Sequence, residues 1–153
     1  MVKAIEHIGI VVKNMDNSIE KYTKLLGLVV DKIEEVDVQG AITRVAFMPL
    51  GSIDIELLFT TAETGLLADF FKTRGEGIHH IAFEVENIEK MFEELQLQGV
   101  KFMWNKIIDG SRGTRCAFFE AEEMNGVYIE LVQKKFNSTD EKIALNEATM
   151  KNN

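Results

Sequence analysis

Glu6-His7-Ile8-Gly9-Ile10-Val11-Val12 and His79-His80-Ile81-Ala82-Phe83-Glu84-Val85 are one strand written twice. Placing His7 on His80 sets an offset of 73, and the same offset carries Asn14 onto Asn87, Ile19 onto Phe92 and Tyr22 onto Leu95. Further along, Thr43-Arg44-Val45-Ala46-Phe47 falls on Thr114-Arg115-Cys116-Ala117-Phe118. Ile53-Asp54-Ile55-Glu56-Leu57 falls on Val127-Tyr128-Ile129-Glu130-Leu131, which puts Glu56 on Glu130. Four matching blocks in one order mark an internal repeat, the signal to settle before any local assignment.

Each copy reads as βαβββ. A β-branched strand (4–12, then 78–85) leads to an amphipathic helix opened by an Asn or Asp cap: Asn14 or Asp16 in the first copy, Asn87 in the second. Ile19, Tyr22, Leu25 and Leu26 form the apolar face of the first helix, which ends at Gly27; Ile88, Met91, Phe92 and Leu95 do so in the second, with Gly99 past its end. Three strands follow in each copy, about 28–37, 41–49 and 52–59, then about 101–107, 114–120 and 126–134, separated by turn residues such as Gln39-Gly40 and Asn125-Gly126. A connector helix at about 64–74 carries Leu66, Leu67, Phe70 and Phe71. The expected architecture is α+β: one domain over 1–135, built from modules at about 3–60 and 77–135. Their strands form a curved mixed sheet around a central cleft with helices outside, and a polar tail occupies 136–153.

Bulk properties bound the partners. A net charge of −8 and a pI near 4.9 argue against nucleic acid. No apolar run approaches the ~20 residues of a membrane span, and the N-terminus runs straight into a strand without a signal peptide. The single cysteine, Cys116, forms no internal disulfide and suits a reducing cytoplasm; its alignment with Val45 makes it a small core residue.

Strand parity then selects the chemistry. Residues i and i+2 share a sheet face. Ile8, Ile10 and Val12 pack under the helix, so His7 turns away; Ile81, Phe83 and Val85 do the same for His80. Ile55 and Leu57 turn Glu56 away, and Ile129 and Leu131 turn Glu130 away. His7, Glu56, His80 and Glu130 therefore meet on the concave face. Buried carboxylates there call for a cation. Two imidazoles and two carboxylates suit Co, Ni, Zn, Mn or Fe(II), with positions left for water or substrate. By the same parity His79 faces the helices, with a structural or supporting role.

Paired βαβββ modules with a His opening each unit and a Glu in its last strand resemble the vicinal-oxygen-chelate superfamily over about residues 3–135. The nearest local match is to its methylmalonyl-CoA epimerase branch, through His7-Ile8-Gly9-Ile10-Val11-Val12, Ile55-Glu56-Leu57-Leu58, Arg74-Gly75-Glu76-Gly77-Ile78-His79-His80-Ile81-Ala82, Gly110-Ser111-Arg112-Gly113 and Gly126-Val127-Tyr128-Ile129-Glu130-Leu131-Val132-Gln133. The resemblance implies His7, His80 and Glu130 as ligands, with Glu56 as the fourth or as an acid beside the metal. It also implies a homodimer, and proton abstraction α to a thioester carbonyl in a small acyl-CoA substrate, with Glu56 or Glu130 moving the proton. The amides of Gly110, Ser111, Arg112 and Gly113, with the Arg112 side chain, become candidates for a substrate phosphate or carboxylate. Alternatives within the superfamily are a glyoxalase I-like lyase acting on a thiol adduct and a non-catalytic small-molecule-binding protein. Two departures stand out. Phe118-Phe119-Glu120-Ala121-Glu122-Glu123 occupies the place of the epimerases' His-Pro-Lys segment, and Ala41-Ile42-Thr43-Arg44 offers no acidic residue after the Gln-Gly turn.

Overall fold

A computed structural model describes residues 1–134. In chain order the elements are β1 (Val2–Val11), α1 (Met15–Leu26), β2 (Lys32–Val38), β3 (Ala41–Leu50), β4 (Ile53–Thr60), α2 (Leu66–Arg74), β5 (Gly77–Val85), α3 (Ile88–Leu97), β6 (Ile108–Asp109), β7 (Arg115–Phe118) and β8 (Tyr128–Gln133). Short 3₁₀ turns cover Ser111–Gly113 and Ala121–Met124. The strands form one mixed sheet in the order β2-β3-β4-β1-β5-β8-β7-β6. That order repeats outward from the centre: β1 pairs parallel with β4 as β5 does with β8, and β1 and β5 join antiparallel at the middle. The α+β architecture of two βαβββ units is therefore present. The tail at 136–153 lies outside the described residues, among which no helix is long and apolar enough to cross a membrane.

Local chemistry sets the helices. Asn14 accepts from the Asn17 amide at 2.9 Å and Asn87 from the Lys90 amide at 2.8 Å, matching N-caps at matching repeat positions. Gly27 closes α1 at φ 72°, a left-handed cap that favours glycine. On the outer face, Ile10, Val12, Ile55 and Leu57 pack with Met15, Ile19 and Tyr22 of α1. Ile81, Phe83, Val85, Ile129 and Leu131 pack with Ile88, Met91 and Phe92 of α3.

Three expectations change. Leu25 and Leu26, read as part of the packed face of α1, are 72% and 66% exposed: the last turn of the helix is left uncovered. The connector helix α2 does not sit outside: Leu67 and Phe70 pack on Val11, Val45, Phe47 and Leu58, residues of the cleft face. It forms a wall of the cleft. The strand expected at 101–107 is broken. Phe102 bridges Phe119, the chain bends at 103–106, and pairing resumes only at Ile108 with Cys116. An edge strand has a partner on one side only, so a bend there costs few ladder bonds.

Candidate metal centre

β1, β4, β5 and β8 lie side by side at the middle of the sheet, and each presents one polar group to the cleft. Register places them: Gly9 lies opposite Glu56 in β4 and opposite His80 in β5, while Ala82 lies opposite Glu130 in β8 and opposite His7 in β1. A small residue thus stands beside each histidine. At Gly9 the fit is absolute, since a Cβ there would come within 2.3 Å of the His80 ring.

The four groups meet. His7 Nε2 lies 2.8 Å from His80 Nε2, and Glu130 Oε2 lies 3.1 Å from both. Glu56 Oε2 stands 3.6 Å from His7 Nε2. All four residues are only 4–5% exposed. His7, Glu56 and His80 form a set able to hold a metal ion, with ligand atoms within 4.8 Å of one another. Ligands about 2.1 Å from a shared ion and at right angles around it are ~3 Å apart, which is the scale of these edges. Nitrogen and carboxylate donors in this number suit a divalent transition ion.

The electrostatics are those of a site poised for a cation. Burial pushes the Glu56 carboxyl up to about 7, against the pull of His7. Burial acts the same way on Glu130, yet hydrogen bonds and charge from His7 and His80 hold it well below the carboxylate range. Burial opposes a charge on His7, but Glu56, Glu130 and Glu6 raise it well above the ordinary histidine value. Burial holds His80 below that value, and burial with the neighbouring His80 takes His79 down to about 3.

The cleft above these groups is lined by Val36, Val45, Leu58, Leu66 and Phe118, and near its mouth by Asp109, Gly110 and Ser111. Of the loop expected to hold an anion, Gly110 and Ser111 reach this lining; Arg112 and Gly113 do not. Arg112, in the left-handed region at φ 51°, turns its guanidinium onto the Phe47 ring at 3.8 Å. There it pairs with Asp54 at 2.6 Å and Asp31 at 3.4 Å, while its amide donates to Glu34. Its charge already has partners, and a substrate anion would have to compete with them.

His79 differs from the parity reading. It lines the cleft beside His80, stacked on Tyr128 at 5.1 Å and edge-on to Phe70. The cause is a bulge: between Gly9 and Ile10 the β5 partners jump from His80 to Ile78, so His79 is an extra residue and alternation fails. Glu6 went unnoticed in the sequence for the same reason. Its carboxylate lies 2.5 Å from His7 Nδ1 and pairs with Lys134 at 3.1 Å. The available signal was the alignment of Glu6 with His79, two polar residues before two candidate ligands. Cys116 packs with Ala82, Phe118 and Val132 on the cleft face, and burial pushes its thiol up.

Comparison with known proteins gives these features a context. The sequence profile described as the Glyoxalase/Bleomycin resistance protein/Dioxygenase superfamily matches residues 6–118. The Bacillus subtilis protein YqjC is 31% identical over 86% of this chain and 92% of its own length. The Ethylmalonyl-CoA/methylmalonyl-CoA epimerase of Cereibacter sphaeroides is 30% identical over 87% of this chain and 99% of its own. A solved methylmalonyl-CoA epimerase in complex with methylmalonyl-CoA and ammonium superposes with a TM-score of 0.81 at 28% identity, covering 88% of this chain and 96% of that one.

Proposed function

This chain belongs to the Glyoxalase/Bleomycin resistance protein/Dioxygenase superfamily, and on that premise we propose that it is a divalent-metal-dependent epimerase acting on a small acyl-CoA, methylmalonyl-CoA being the first to try. The observation that carries the reading is the convergence of one His and one Glu from each module, each with a ligand atom 2.8–3.6 Å from its nearest neighbour in the set, in a largely apolar cleft. His7, His80 and Glu130 would hold the ion, with Glu56 as the fourth and outermost group. When bound, the ion supplies Lewis-acid stabilisation of the negative charge that develops on substrate oxygens as the α-proton leaves.

The remaining steps belong to the chain. Val36, Val45, Leu58 and Phe118 exclude water and take the acyl group against an apolar wall. Glu56 is the carboxylate we assign to the proton: it stands farther than Glu130 from the histidine pair, and is therefore the freer of the two to take a proton beside the ion. Glu130, held ionised by His7 and His80, is the fixed ligand. Inversion then needs a proton on the opposite face of the α-carbon, supplied by water or by Glu56 itself after the planar enolate has turned over in the cleft. No Lys or Arg is among the residues lining the described cleft, so a substrate carboxylate would depend on the ion or on Arg112 leaving Asp54.

The test is deuterium wash-in from heavy water with metal-loaded protein. Exchange at the α-carbon of methylmalonyl-CoA, with no turnover of methylglyoxal plus a thiol, supports the epimerase. Turnover of the second pair alone would move the protein to the lyases, and neither reaction would leave the binding-protein reading. The family also implies a homodimer, which sedimentation of a 17.3 kDa species alone would reject.

A further inference from the structure

The repeat places Glu6 and His79 at matching positions, each immediately before a ligand histidine. In the β1–β5 ladder both are residues that the register skips. Ile5 and His7 face Phe83 and Ala82 with Glu6 left over, and Gly9 and Ile10 face His80 and Ile78 with His79 left over. A strictly alternating strand would send each of them to the opposite face from its histidine. The two bulges instead bring both to the back of the ligand imidazoles. Glu6 Oε2 lies 2.5 Å from His7 Nδ1, and His79 Nδ1 lies 2.8 Å from His80 Nδ1.

We propose that Glu6 and His79 are the positioning residues of the metal centre, a carboxylate behind one ligand and a neutral imidazole behind the other, fixing both histidines with the proton on Nδ1 and the Nε2 lone pair turned inward. This rests on the metal reading above. A neutral imidazole has one lone pair, and the hydrogen bond made by one nitrogen decides which atom offers it. An ionised Glu6 can only accept, so His7 must donate through Nδ1. Lys134, 3.1 Å from Glu6 and 3.3 Å from Glu84, neutralises that carboxylate from the far side.

Behind His80 the acceptor must be His79 Nδ1. That leaves the His79 proton on Nε2, a buried atom without a close hydrogen bond among the described residues, although the Leu66 backbone favours a proton on this ring. Tyr128, stacked at 19°, and the edge of Phe70 pack the ring in place. The two ligands are thus identical residues made unequal. The charged partner makes His7 the stronger donor, and the neutral partner orients His80 without adding charge.

Two measurements on the full chain test this. In zinc-loaded, nitrogen-15-labelled protein, long-range proton–nitrogen spectra should place the ring proton on Nδ1 of His7 and His80 and on Nε2 of His79. In cobalt(II) titrations against a chromophoric competitor, Glu6→Gln and His79→Phe should each weaken binding about 10–100-fold and shift the visible cobalt bands. Phenylalanine keeps the aromatic slot and removes the Nδ1 acceptor together with the buried Nε2–H, and Glu6→Asp should recover part of the loss at His7. Protonation of Nε2 on His7 or His80 overturns the proposal, as does cobalt affinity within twofold of the parent in both variants. The spectra need no variant to fold. A parent chain that binds neither ion overturns the metal reading itself, a different result from unchanged binding in the variants.

Discussion

The two modules contribute the same pair of candidate ligands but are not the same machine. The first ends in a full edge strand, β2, and opposes His80 with a glycine; the second ends in a two-residue strand, β6, and opposes His7 with an alanine. Glu6 and Lys134 stand behind His7, whereas His79, Tyr128 and Phe70 stand behind His80. Their carboxylates differ too. Glu130 sits 3.1 Å from both histidines, while Glu56 stands 3.6 Å from one and carries a raised pKa. On the proposed reading, duplication supplied the donor set for the ion, and divergence between the copies made its carboxylates unequal, one to stay and one to move a proton.

The largest expected effect separates those carboxylates. Glu56→Gln should lower α-proton exchange by about 10²–10⁴-fold while the metal content stays near that of the parent, the range expected for a lost general base. Glu130→Gln should lose the metal first. Equal metal loss in both variants would make the modules equivalent again and remove the assignment of Glu56 as base.

A second contrast uses the small residues beside the histidines. Gly9→Ala forces the His80 imidazole aside, because the new Cβ would lie 2.3 Å from it. Overpacking of this kind costs about 1–3 kcal/mol, and cobalt affinity should fall about tenfold or more. Ala82→Gly, its mirror in the repeat, should cost roughly 0.5–1 kcal/mol by backbone entropy and leave cobalt affinity nearly unchanged. Chemical denaturation together with cobalt titration reads both.

Above the ordinary histidine value of 6.5, the pH dependence should have opposite signs with and without metal. His7 is raised in the metal-free chain, so its stabilisation is complete below its unfolded value of 6.5 and is lost as pH rises through the folded one. Glu130 is depressed, so its contribution holds above 4.5 and is lost as pH falls. Metal binding needs these groups deprotonated and should tighten about tenfold per pH unit for each proton displaced. The rise in Tm on adding zinc should therefore grow between about pH 6 and pH 8. A constant rise would contradict the raised His7.

The smallest effect concerns the edges. Arg112 of the second module reaches Asp54, Asp31 and Phe47 of the first, with its side chain one-third exposed. Arg112→Ala should cost about 1 kcal/mol, a screened ion pair plus a cation–π contact, and lower Tm by a few degrees with less effect at high salt. A rise in exchange rate with methylmalonyl-CoA would show that the clasp obstructs the cleft; a fall would return Arg112 to substrate binding.

Most of the architecture was legible because the repeat and the apolar periodicity agree: matching asparagine caps, matching strands, and parity that carried His7, Glu56, His80 and Glu130 to one face. Parity failed where alternation itself fails. Nothing in Ile5-Glu6-His7 or Ile78-His79-His80 announces a bulge, since the extra residue is defined by the partner strand. Leu25 and Leu26 fit the helical stripe, but spacing does not say which turns of a helix a neighbour will cover. The fate of Arg112 depended on the sheet curling far enough to bring its edges together, a long-range property that no local pattern contains.

If both modules serve one ion, elemental analysis of protein purified without chelator should find about one transition ion per chain in the parent. That ion should be lost in both His7→Ala and His80→Ala, and mostly retained, more weakly, in His79→Phe. A parent chain without metal, or metal content unchanged in His80→Ala, would contradict a shared ion.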